Sequence, residues 1–159
     1  GRYGCLPVYR RGTGMNIPLK KLHPEALIPT RGSASAAGYD LYACLPQGPV
    51  TLAPGETLAI GTGITCALPE GYFAACFARS GLALRQGLRP ANCVGVVDSD
   101  YRGEYIVALH NDSGEPRTVS HGDRIAQLVL LPYVPMEFVQ TDVLDETQRG
   151  SGGFGSTGK

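Results

Sequence analysis

A chain of 159 residues, 43% hydrophobic and 18% charged, is long enough for one domain with a real core and too apolar to be disordered by composition. Lys plus Arg equals Asp plus Glu at 14 each, so no net field favours a nucleic-acid polymer, and any anionic partner must be held by local charges, as a small ligand is. The longest apolar runs, such as LVLLP at 128–132, are far too short to span a bilayer.

Residues 1–15 open with GRYGCLPVYRRGTG, which lacks an apolar signal-peptide core, and Met15-Asn16 reads as a native start. The expected organisation is an N-terminal extension or tag over 1–15, a β domain over 16–141 and a flexible arm over 142–159. In chain order, YDLYA (39–43), TLAIGTGITCAL (57–68), YFAACFA (72–78), NCVGVVD (92–98), EYIVALHN (104–111), RIAQLVLLP (124–132) and MEFVQT (136–141) are rich in β-branched and aromatic residues and read as strands. Within EYIVALHN, Tyr105, Val107 and Leu109 fall on one face and Ile106 and Ala108 on the other, which predicts a strand covered on both sides.

Turn signals at LAPGE (52–56), LPEG (68–71), NDSGEP (111–116) and SHGD (120–123) separate these segments. With 22 Gly and 12 Pro there is little room for long helices, and one or two turns within RSGLALRQ (79–86) are the only helical expectation. Many short strands at this spacing predict an all-β sandwich, jelly roll or small barrel.

The five cysteines form an odd set with no C-x-x-C pair, so free thiols of an intracellular, reducing compartment are expected rather than a disulfide framework. The cytoplasm is the first expectation, with nucleus and organelles left open. The three histidines show no ligand spacing for structural zinc.

Five segments carry more polar chemistry than a β core needs. SASAAGYDLYA (33–43) sets Asp40 among small residues, where it either ends a turn or holds water around a cation. ARSGLALRQG (78–87) puts the forked donors of Arg79, the hydroxyl of Ser80 and the bare backbone of Gly81 after an apolar strand, suited to an oxyanion but also to an ordinary turn. NCVGVVDSDYRGEY (92–105) is laid out as a β-hairpin with Asp98 at a strand end and Tyr101 beyond it, although turns attract Asp and strands attract Tyr.

GDRIAQLVL (122–130) sets Arg124 and Gln127 beside an apolar run, where a buried amide needs partners. In the tail, Gly153 to Lys159 spells the opening of a phosphate-cradling P-loop, yet no strand pattern runs into it. Arg149, Phe154 and the Ser156-Thr157 pair lie among its glycines, a composition that usually means a linker.

The order and wording of these segments resemble the five motifs of the trimeric deoxyuridine triphosphatases (dUTPases): AAGYDLYA, ARSGLALRQG, GVVDSDYRGEY, GDRIAQL and RGSGGFGSTG. The resemblance runs from about Ile17 to the last residue. It implies a jelly-roll-like β-barrel, a homotrimer with shared active sites, dUTP as the partner, Mg²⁺ as cofactor, and hydrolysis to dUMP and pyrophosphate. By the same resemblance Asp98 activates the attacking water, and Asp40 contacts the waters of a metal held mainly by substrate phosphates. Arg79, Ser80, Gly81, Gln127 and Arg149 bind the phosphates.

Asn92 and the backbone around Gly95 would read uracil, and Tyr101 would pack on the deoxyribose. Phe154, Gly155, Ser156 and Thr157 would close over the nucleotide from another subunit's arm. The tail then resembles a P-loop because both wrap phosphates with backbone N–H groups, which glycine permits.

Ala78 stands where the family generally has Pro, and Arg89-Pro90 adds an unusual pair before the uracil hairpin, so the strand there is expected to be irregular. Two other readings remain: a deaminase or deaminase–hydrolase on the same scaffold, and a non-catalytic binding protein. The intact tail disfavours the first. Erosion at Asp98 or Tyr101 is what the second predicts, and both residues are present.

Overall fold

The computed structural model describes residues 14–155. In order along the chain they form β1 (Leu19–Lys21), β2 (Tyr39–Tyr42), β3 (Val50–Leu52), β4 (Thr57–Gly61), β5 (Ile64–Cys66) and β6 (Tyr72–Phe77). Helix α1 (Ser80–Gln86) follows, then β7 (Leu88–Pro90), β8 (Val94–Val97), β9 (Ile106–Asn111), β10 (Arg117–Val119) and β11 (Arg124–Pro132). All pairings are antiparallel: β2-β11-β6-β8, β4-β9-β7, β1-β5 and β10-β3. The all-β, jelly-roll-like expectation holds, and the single helix falls inside the stretch expected to turn.

The sheets close on one apolar core. Leu41, Leu52, Ile60, Ile64, Leu88, Leu109 and Ile125 are fully buried, each from a different strand or the start of one. Leu109 lies opposite Leu58 on β4 and Pro90 on β7, at the centre of its sheet. Leu109→Ala is expected to lower stability by about 2–5 kcal/mol, through lost transfer energy and an unfilled cavity. A urea midpoint at fixed protein concentration measures it; a shift below about 1 kcal/mol means that the core collapses around the gap.

Four expectations need correction. The stretch 57–68 is two strands, because Gly63 takes φ 67° and turns the chain from β4, which pairs with β9, to β5, which pairs with β1. Strand β9 is covered unevenly: Tyr105, Val107 and Leu109 are buried, whereas on the other face Ala108 is half-buried and Ile106 is 55% exposed. MEFVQT (136–141) is not a strand, since no partner strand reaches it, and Met136 and Phe138 stand exposed. The irregularity expected near Arg89-Pro90 falls just after it: β7 pairs regularly with β9, and Cys93 takes the left-handed φ of 62°.

The cysteines Cys44, Cys66, Cys76 and Cys93 are free; Cys5 lies outside the described residues. No described helix is long and apolar enough to cross a membrane.

Candidate active site

Two clusters emerge from the five polar segments. The first is built across the sheet β2-β11-β6. Gln127 is registered against Asp40 on one side and Phe77 on the other, so the first, second and fourth segments meet in one row. Arg79 Nε donates to Asp40 Oδ1 at 2.7 Å, and Arg124 Nη1 lies 3.6 Å from Asp40 Oδ2. The Gln127 amide donates to the Ala78 carbonyl at 2.9 Å, which pins the residue before Arg79.

Gly38 is needed here for room, because a Cβ would lie 2.2 Å from Gln127 Oε1. Arg79 is the N-cap of α1 and extended (φ −92°, ψ 129°), with Ser80 exposed and Gly81 half-buried at the helix start. The cluster offers guanidinium, hydroxyl and backbone donors to an anion.

The second cluster is a cavity of about 250 Å³ between β8 and β9, lined by Asn92, Gly95, Asp98, Tyr101, Glu104 and Tyr105 among others; the hairpin expected over 92–105 is instead made by β7 and β9, with β8 looped out between them to pair with β6. Its floor is apolar, from Leu41, Cys76 and Leu128. Gly95 keeps it open: a Cβ there would sit 3.2 Å from Cys76 Cβ and 3.5 Å from Asn92 Nδ2. Tyr101 stands at the rim, 44% exposed, its hydroxyl donating to the Glu104 carbonyl at 2.9 Å. A flat ring with a polar edge fits such a slot.

The titratable groups in the cavity differ in readiness. Burial pushes the Cys76 thiol up to about 11 and the Tyr105 phenol well above its usual range, so both remain protonated at neutral pH. The Glu104 carboxylate accepts the Gly63 N–H at 2.8 Å. The Asp98 side chain makes no hydrogen bond or ion pair among the described residues, which leaves both oxygens open to water or ligand.

The two clusters are not one site within the chain. Val97 pairs with Ala74 and Val94 with Phe77, so Asp98 is level with Phe73 while Arg79 lies beyond Phe77. Six positions separate them, four along β6 and two beyond its end, at most roughly 20 Å of backbone at about 3.3 Å per residue. The tail is a third piece. Phe154 is fully exposed with φ 52°, and Arg149 Nε donates to Gly152 O within the tail itself. Gly155 follows with φ 81°; Ser156 and Thr157 lie outside the described residues.

No group of three or more His, Cys, Asp or Glu is gathered among the described residues for a resident metal. Asp40 is a single carboxylate, 14% exposed and already bonded to Arg79. Such a donor suits the water shell of a cation that brings its other oxygens with the substrate.

Arg124, Gly38, Cys76 and Glu104 are the site residues that sequence reasoning left without a role. Arg124 was visible beside Gln127, but only the register shows that it reaches Asp40.

The dUTPase family model matches residues 24–158. The chain is 54% identical to the deoxyuridine 5'-triphosphate nucleotidohydrolase of Desulfitobacterium hafniense over 82% of its length and 87% of that protein. It is 46% identical to the one of Syntrophotalea carbinolica over 91% of its length and 97% of that protein. Among solved structures, the Staphylococcus bacteriophage 80alpha dUTPase with dUPNHPP superposes with a TM-score of 0.78 at 27% identity, over 91% of this chain and 99% of that one. A match across the sheet, the hairpin cavity and the tail, with relatives this similar, means that the chain belongs to the dUTPase family.

Proposed function

We propose that this dUTP hydrolase cleaves its substrate to dUMP and pyrophosphate in a site assembled from three copies of the chain. The observation that carries the reading is the separation of Asp98 from Arg79 along the β6–β8 pair, up to roughly 20 Å, too far for one triphosphate to bridge while its α-phosphorus stays beside Asp98. In this reading one protomer supplies the hairpin cavity, a second the Asp40–Arg79–Gln127 cluster and a third the tail. The exposed apolar stretch Val134, Met136, Phe138 and Val139 is of the kind that a neighbouring subunit covers. A phage relative with a bound dUTP analogue supports the choice of ligand.

Uracil would enter the hairpin cavity, its edge read by backbone groups and the Asn92 amide, with Gly95 and Cys76 leaving no space for an added methyl. Tyr101 would lie on the deoxyribose and exclude a 2′-hydroxyl. Asp98 accepts a proton as the water oxygen bonds to the α-phosphorus; the bond from that phosphorus to the bridging oxygen breaks, and pyrophosphate departs with the electron pair. Arg79, Ser80, Gly81 and Arg149 neutralise and align the phosphates, and Gln127 holds the Ala78 carbonyl that carries Arg79.

The family uses a divalent metal, here read as Mg²⁺, which would supply charge neutralisation at the phosphates. Asp40 would hold water on that side. Phe154 would stack over the base, with Gly155, Ser156 and Thr157 wrapping phosphate, as the tail of another copy closes and expels water.

Subunit complementation tests the shared site. Arg79→Ala and Asp98→Asn protomers, each nearly inactive alone, are unfolded, mixed in equal amounts and refolded. Random assembly gives about one quarter of the sites an intact copy of both clusters, so about one quarter of native pyrophosphate release should return. No recovery in a mixture shown to contain hetero-oligomers would mean that each site belongs to one chain.

A further inference from the structure

Tyr101 has few restraints for a residue asked to read a sugar. It is 44% exposed, and its position depends on its bond to the Glu104 carbonyl at 2.9 Å and on the Tyr105 ring beneath it, centroids 6.4 Å apart and 28° between planes. Tyr105 is 3% exposed and held by its backbone, its N–H donating to Ile64 O at 2.9 Å. The carbonyl that receives Tyr101, by contrast, is only as fixed as Glu104.

Glu104 is tied down from outside the hairpin. Its Oε1 accepts the Gly63 N–H at 2.8 Å, a charge-assisted bond to the buried turn between β4 and β5. That turn is itself rigid: Thr62 is 1% exposed and its hydroxyl donates to Tyr105 O at 2.5 Å, while Gly63 holds φ 67°. One turn thus grips Glu104 by its side chain and Tyr105 by its backbone.

Two glycines without left-handed φ preserve the arrangement through space alone. A Cβ on Gly61 would lie 2.7 Å from Glu104 Oε1, and one on Gly103 would lie 2.3 Å from the Tyr101 hydroxyl. We propose that Glu104 is a positioning residue that sets Tyr101, and with it the enzyme's preference for deoxyribose over ribose, through the bond from Gly63 N–H. The proposal rests on the reading of Tyr101 given above.

The test is the ratio of kcat/KM for dUTP to that for UTP. Tyr101→Ala sets the scale and is expected to lower the ratio by about tenfold or more. Glu104→Ala, with Tyr101 intact, should raise KM for dUTP and lower the ratio about five- to tenfold, with kcat within about threefold of native. Glu104→Gln keeps the acceptor oxygen and should hold the ratio within about twofold of native.

Gly61→Ala displaces the carboxylate and should reproduce Glu104→Ala, and the double variant should be no worse than either, as expected of two changes to one bond. A purely structural Glu104 would shift the urea midpoint and leave the ratio alone. An unchanged ratio in Glu104→Ala, or an equal loss in Glu104→Gln, overturns the proposal; if Glu104→Ala does not fold, an unchanged ratio in Gly61→Ala does so. An unchanged ratio in Tyr101→Ala locates the failure in the reading of Tyr101 and removes the proposal with it.

Discussion

Asp98→Asn lowers kcat for dUTP by about 10²–10⁴ while leaving affinity for a non-hydrolysable analogue within a few-fold of native. Asparagine keeps the size and shape of the side chain and deletes only its capacity to take a proton. The alternatives within the cavity are weak. At neutral pH the Cys76 thiol, pushed up to about 11 by burial, and the Tyr105 phenol, raised likewise, hold their protons and cannot serve as bases. Glu104 already spends an oxygen on Gly63 N–H, and losing that bond would loosen the hairpin. Asp98 lines the cavity with no partner of its own among the described residues. Single-turnover pyrophosphate release, paired with equilibrium binding of the analogue, separates chemistry from binding. Near-native turnover would remove Asp98 from the base role, and a matching loss of affinity would make it a binding residue instead.

What could be read from the chain followed the strength of each local signal. Strand β11 runs over 124–132, as its apolar run between Gly122 and Pro132 predicts. Strands β1, β3, β7 and β10 have three residues each, too few to carry a period of two. They exist because a partner distant in sequence holds them, as Leu52 is held opposite Arg117. MEFVQT is the reverse case, a strand-like pattern that pairs with no strand among the described residues.

The site divides in the same way. Asp40, Arg79, Asp98, Tyr101 and Gln127 stand in motifs whose order resembles the family's, and it is that resemblance, more than the residue types, that points to them. The struts that hold them are not legible that way: the Gly63 N–H beneath Glu104, the room at Gly38 for Gln127 and the reach of Arg124 to Asp40 are contacts between segments tens of residues apart. The separation of Asp98 from Arg79 is equally invisible until the register of β6 and β8 is known.

Deleting residues 149–159 is expected to cut kcat/KM for dUTP by about 10²–10³ with little change in the urea midpoint or the oligomeric mass, because the tail is proposed to add donors at the phosphates and a lid over the base. The described part from 141 to 155 hydrogen-bonds only within itself, through pairs such as Thr141–Val143, Thr147–Gly150 and Arg149–Gly152, so removing its end from 149 onward leaves no unsatisfied group in the body. Ordering such a segment costs about 1–2 kcal/mol per residue in backbone entropy, so closure must draw on contacts that exist only when nucleotide is bound. Loss of the tail should therefore be felt in turnover and in substrate capture. The cut after Gln148 spares Val134, Met136, Phe138 and Val139, the exposed apolar side chains that a neighbouring copy is proposed to cover. A truncated enzyme with native turnover would separate the tail from the site, and a midpoint falling as far as that of Leu109→Ala would make it part of the folded body. A truncated form that loses its oligomeric mass would show that subunit contacts extend beyond residue 148.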